Sequence, residues 1–256
     1  MASAPQTVQM PPLYKQIVPL SLQQHGKWAS RRTDKAKWLV NQHIVPLTAE
    51  EFVLAQRHFP IVFSSGEATA PLALMGMNQG VNVFVEDDGT LREEIYMPAY
   101  ARRYPFMLVR LQPDSEELSL CVDPTSDLVG EFEDGEALFE GEGPSESCKS
   151  ILEFCERLEV AGNKTSAFLS EIKKHDLLID GEISVTRADS DQPIKFSGFR
   201  MIDEKKLKDL RGDVLRTWNQ NGLLPLIYAH LFSLQVARDI YAKQIAQGKA
   251  PAPATA

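Results

Sequence analysis

Two adjacent arginines framed by three tyrosines form the densest polar-aromatic cluster of the sequence, Tyr96-Met97-Pro98-Ala99-Tyr100-Ala101-Arg102-Arg103-Tyr104-Pro105. Guanidinium groups are planar donor forks that match a carboxylate or phosphate, and phenols can frame such an anion with further hydroxyls. Arg102, Arg103, Tyr96, Tyr100 and Tyr104 are therefore the ligand-binding candidates. The plainer alternative is a structural corner fixed by Pro98 and Pro105, with an arginine paired to the protein's own acids. Adjacent residues in a turn rarely face the same way, so one arginine is expected to meet a ligand while the other pairs internally.

Other chemistry has less support. The five histidines, His25, His43, His58, His175 and His230, are scattered, so a general base would have to be assembled by the fold. His43, His58 and His230 are secondary candidates, and His230 is the best of them because Tyr228 and Ser233 lie close by in a helical stretch. Its apolar neighbours Leu231 and Leu234 equally describe a hydrogen-bonded core histidine. No Gly-x-Ser-x-Gly elbow, no glycine-rich phosphate loop and no His pair or Cys-x-x-Cys with ligand spacing occurs. The residues thus name no catalytic group, no metal site and no cofactor. Cys148 and Cys155 are seven apart in a helical pattern, about 10.5 Å, too far for a disulfide. With Cys121 they are expected to be reduced and inert, which suits a cytoplasmic protein.

The net charge of −8 disfavours nucleic acid and anionic lipid as partners. Its distribution says more. Leu111 to Cys148 holds twelve acidic side chains and no Lys or Arg, leaving the rest of the chain slightly basic. This segment is expected to be a solvated surface with Leu118, Leu120, Val122, Leu138 and Phe139 pointing inward. Against it stands a basic strap with a tryptophan at each end, Trp28, Arg31, Arg32, Lys35, Lys37 and Trp38. The strap would dock on the acidic segment, or on a partner. A nucleic-acid binder that stacks bases on the two tryptophans is the least favoured reading.

The elements that must position these residues are legible in outline. At 256 residues with 43% apolar and 24% charged side chains, the chain has a globular composition, no membrane-spanning run and no signal-peptide pattern at its N-terminus. Residues 1–12 and 248–256 are small-residue and Pro-rich, and are expected to be disordered tails around a single domain at 13–247. Thr48 and Glu51 form a capping box that should open a helix running to Phe59 before Pro60. Strands are predicted at Tyr14–Leu20, His43–Leu47, Ile61–Ser64, Leu72–Met75, Val81–Val85, Phe106–Leu111 and Leu118–Val122. The second half reads as helices from Pro144-Ser145 and from Thr165, separated at Gly162-Asn163. A hairpin of Glu182–Ala188 and Ile194–Met201 turns at Asp189-Ser190-Asp191-Gln192. An Asp203-capped helix through Trp218 and a last helix Leu226–Gln247 complete the chain. Sheet first and helices later describe an α+β fold with a mainly antiparallel sheet.

A series of strings resembles the bacterial SapC family over about residues 13–247. They are His43-x-Val45-Pro46-Leu47, Glu51, Phe59-Pro60-Ile61-Val62-Phe63, Asn82-Val83-Phe84-Val85, Tyr96-x-Pro98-Ala99, Cys121-x-Asp123, Leu138-Phe139 and Tyr228-Ala229-His230-Leu231. The most specific piece is Arg102-Arg103-Tyr104-Pro105-Phe106. The resemblance implies a bacterial single-domain protein without an assigned reaction. The family takes its name from surface-layer loci linked to serum resistance, and its genes often lie beside those of outer-membrane receptors, cupin-like proteins and flavin halogenases. The expectation is a non-enzymatic accessory protein that recognises a peptide or protein connected with surface-layer or outer-membrane uptake. The alternative is an enzyme acting on a peptide or small carboxylate through an Arg/Tyr/His pocket. Oligomeric state is not legible.

Overall fold

The computed structural model describes residues 10–66, 68–112, 114–115, 117–185 and 193–249. The Asp189–Gln192 turn, Glu116 and most of both predicted tails lie outside them. The fold is α+β, every strand pairing is antiparallel, and among the described residues no helix is long and apolar enough to cross a membrane. The chain separates into two compact units, one from the stretches up to Asp34 and Arg103–Arg157, the other from Lys35–Arg102 and Leu158 onward.

The first unit is built on small sheets. Ser119–Val122 lies between Val18–Pro19 and Phe106–Val109, and Ala29–Ser30 lies between Val129–Gly130 and Glu136–Ala137. Alternation in these strands turns Phe106, Leu108 and Val122 into a core with Val129, Leu138 and Cys155, closed by Trp28, Leu120 and Phe139. Leu118 does not join it. At 39% exposure it stands outside, because the strand begins only at Ser119 and nothing fixes the preceding residue to the inward phase.

The second unit holds a five-stranded sheet in the order Leu178–Val185, Ile194–Ile202, Ile61–Ser64, Pro71–Leu74, Ile44–Pro46. The late hairpin thus completes a sheet that the first half of the chain begins. Phe52, Phe63 and Phe168 meet edge-on and stacked on one side. Val62, Leu74, Ile183, Val185 and Phe199 pack with Ala237 and Tyr241 of the last helix.

Several predicted elements differ, each for a local reason. Val81–Val85 is no strand, since the Asn82 amide takes over the ladder's role. Its nitrogen donates to the Leu39 and Gln42 carbonyls while its oxygen accepts from the Phe84 N–H. The capping box is present, but it opens a short 3-10 turn at Ala49–Glu51 and then only Phe52–Ala55 is α-helical. The Asp203-capped helix stops at Lys208 and a second begins at Gly212. The last helical stretch starts at Leu223, after Gly222 in the left-handed region, and a 3-10 turn at Leu234–Val236 divides it.

The largest difference is one continuous helix, Glu146–Lys174, through the expected break at Gly162-Asn163. Its buried positions Ala161, Thr165, Phe168, Leu169 and Ile172 recur at helical spacing, and the cost of one glycine, about 0.5–1 kcal/mol, is smaller than the gain from burying that stripe. No atom lies within 4 Å of where a Gly162 Cβ would stand. Gly162→Ala is therefore expected to stabilise the protein by about 0.5–1 kcal/mol, read as a rise in the urea midpoint at unchanged slope.

Candidate functional site

The Pro98–Arg102 stretch makes one helical turn, in which Ala101 and Arg102 donate their N–H groups to the Pro98 carbonyl at 2.9 and 3.0 Å. What fixes this turn in the second unit is a buried carboxylate. Glu51, 6% exposed, takes four hydrogen bonds. Its Oε2 accepts from the Thr48 N–H and hydroxyl at 2.8 and 2.9 Å, and its Oε1 accepts from the Ala99 N–H at 2.7 Å and the Tyr96 hydroxyl at 3.0 Å. The capping-box acid thus reaches beyond its own turn and clamps the next element.

Arg102 stands on this base. It is exposed, its guanidinium lies 5.9 Å from the Tyr96 ring centroid, and it hydrogen-bonds the Tyr96 oxygen. Burial, with the charge of Glu51 and the hydrogen bond to it, pushes the Tyr96 phenol up to about 12. The result is a chain from Arg102 to Tyr96 to Glu51 in which the phenol stays protonated and the surface end is a planar cation. Cation–π contact and hydrogen bond together restrict a side chain that would otherwise sample many rotamers.

Arg103 and Tyr104 belong to the first unit. Arg103 is buried at 9% exposure, and its carbonyl accepts from the Phe106 N–H at 2.8 Å. Tyr104 meets Tyr14 edge-on at 5.4 Å. Burial raises its phenol, the Ser126 hydrogen bond lowers it, and the Asp123 and Asp127 charges raise it. Asp123 is itself fully buried and takes the Lys15 and Thr125 N–H groups and the Thr125 hydroxyl at 2.7–2.9 Å. Tyr100 is half-buried on the Ala99–Arg102 turn.

The three histidine candidates all fall in the second unit with different surroundings. His230 is fully buried; its Nδ1–H donates to the Ile61 carbonyl at 2.7 Å and its Nε2 accepts from the Ile202 N–H at 3.1 Å. Both ring nitrogens are thereby spent on the backbone of neighbouring strands, and burial lowers its pKa to about 4. His43 is lowered by burial. His58 is lowered by burial and by Arg57 and Lys243, against Glu93 and Glu94.

The basic strap divides. In the first unit Arg31 pairs with Asp134 and lies over the Phe132 ring at 3.6 Å, and Arg32 pairs with Glu136 at 2.8 Å. Trp28 packs into the core there. In the second unit Lys35 pairs with Asp88 at 2.5 Å rather than with the acidic segment. The reason is that the Ala36 N–H donates to the Gly89 carbonyl at 2.7 Å and holds this half of the strap on the Asp87–Gly89 turn. Lys37 lies against Gly89 and Trp38 opens a short 3-10 turn with it.

Cys121, Cys148 and Cys155 are buried thiols outside any disulfide. Burial raises the pKa of Cys121 and Cys148, away from thiolate chemistry. Among the described residues no three His, Cys, Asp or Glu side chains are grouped to hold a metal ion.

No curated protein and no solved structure matches the chain significantly. The SapC family model does, over residues 20–240. That span includes the Glu51 socket, the Arg102 turn and the His230 bridge, and the chain belongs to the SapC family.

Proposed function

We propose that the protein is a non-enzymatic, cytoplasmic accessory protein of SapC type. It recognises a peptide or protein linked to bacterial surface-layer or outer-membrane uptake functions, with Arg102 gripping a carboxylate of that partner. The observation that carries this reading is the exposed Arg102 guanidinium held over Tyr96, whose hydroxyl is anchored on buried Glu51. A cation restrained in this way loses less conformational entropy on meeting an anion, so more of the charge-assisted bond reaches the affinity. Three buried thiols outside any disulfide support a reducing compartment.

The test is retention of a defined peptide pool on immobilised full-length protein, with free C-termini in one arm and amidated C-termini in the other. Wild type should retain the free acids preferentially, and Arg102→Ala should weaken that retention about tenfold or more, since a hydrogen bond to a charged group contributes about 1.5–3 kcal/mol. The melting temperature should stay within a degree or two, as for other exposed substitutions. Equal retention by wild type and variant would sink the Arg102 contact. Peptide conversion in the same incubation, seen by mass spectrometry, would replace the binding reading by the enzymatic one.

A further inference from the structure

Resting on that reading, we infer that Glu51 is the positioning residue of the Arg102 contact, and that through Tyr96 it makes the contact selective for anionic oxygen over neutral carbonyl. The Tyr96 hydroxyl has one proton, and it points inward at Glu51 Oε1, 3.0 Å away. Its oxygen can therefore act toward Arg102 only as an acceptor, which fixes one edge of the guanidinium. The same Oε1 holds the Ala99 N–H at 2.7 Å, at the start of the turn that carries Arg102. Glu51 thus sets both ends of the Arg102 side chain: its backbone through Ala99 and Pro98, and its head group through Tyr96. With the phenol's donor committed inward, the outer face of this pair offers guanidinium donors and no hydroxyl donor. A ligand must bring acceptors, and a charged acceptor makes the stronger bond to a guanidinium. A phenol free to rotate would serve neutral amides as well, and would blunt that preference.

Phenylglyoxal labelling followed by peptide mapping tests this without knowing the partner, using exposed Arg216 in the same unit as the internal reference. Tyr96→Phe keeps the ring but removes the oxygen that holds Arg102, and Glu51→Gln removes the charge that orients the phenol. Each should raise the Arg102 rate relative to Arg216 about three- to tenfold, the range expected for release of a single hydrogen bond. Each should also narrow the preference for free over amidated peptides. Tyr96→Phe keeps the test decisive where Glu51→Gln folds poorly. An unchanged relative rate in Tyr96→Phe overturns the positioning role, whatever the peptides do. Raised rates with no Arg102-dependent peptide retention would uphold the positioning and reject the carboxylate contact. Raised rates with the wild-type preference intact would overturn the selectivity.

Discussion

Glu51→Ala should cost the protein about 3–5 kcal/mol, one of the two largest losses open to a single polar substitution in this chain. The alanine removes the acceptor of four hydrogen bonds, and two of the donors are backbone N–H groups, of Thr48 and Ala99, that cannot swing elsewhere. A buried donor left unsatisfied costs about 1–3 kcal/mol, and the capping box is lost besides. Against a total of about 5–15 kcal/mol for a folded protein, this is a large fraction. Thr48→Ala removes one hydroxyl donor and should cost about 1 kcal/mol. In the Glu51→Ala background the same change should cost clearly less, because the hydroxyl no longer has its acceptor. Urea unfolding of the four proteins checks both statements. Equal costs of Thr48→Ala in the two backgrounds would mean that the network does not act as a unit.

How much of this was legible in the sequence depends on the range of each interaction. The Thr48-x-x-Glu51 box is local, three residues apart, and its spacing announces it. The other two bonds of Glu51 reach Tyr96 and Ala99, more than forty residues on, and spacing carries no such information. The same limit applies at Asn82, where a β-like run is diverted by a side-chain amide bonded to carbonyls some forty residues earlier. Gly162-Asn163 failed in the opposite direction. Its local propensity signals a break, but a stripe of buried residues on one helix face overrides it.

The candidate site divides in the same manner. That Arg102 and Arg103 would face differently follows from their adjacency in a turn, and Arg102 is exposed while Arg103 is buried. Which of the two is exposed could not be read, because it depends on where Tyr96 is pinned. The strap showed its charge in the sequence, yet its division between Asp134 and Glu136 on one side and Asp88 on the other is set by backbone pairing at Ala29–Ser30 and at Ala36.

His230→Gln should both destabilise the protein at neutral pH and flatten its response to acid. In wild type the ring joins two strands of the five-stranded sheet, donating to Ile61 and accepting from Ile202. Protonation would place a second N–H against the Ile202 N–H in a fully buried position, so the native state holds the ring neutral down to about 4. The unfolded chain takes up that proton near 6.5. Between these values the unfolded state binds more protons than the native one. Stability is therefore fully present above about pH 6.5 and is lost as the pH falls toward 4, by about 3 kcal/mol through this residue. His43 and His58, also lowered, act in the same direction, and only the difference between variant and wild type isolates His230. A glutamine can donate to one carbonyl but cannot span both contacts, so a loss of about 2–3 kcal/mol at pH 7 is expected. Urea midpoints at pH 7, 5.5 and 4.5 should then converge, the variant losing about one proton's worth of slope. Parallel curves would show that the His230 ring takes up its proton in the native state as readily as in the unfolded chain, and that the bridge between Ile61 and Ile202 does not depend on a neutral imidazole.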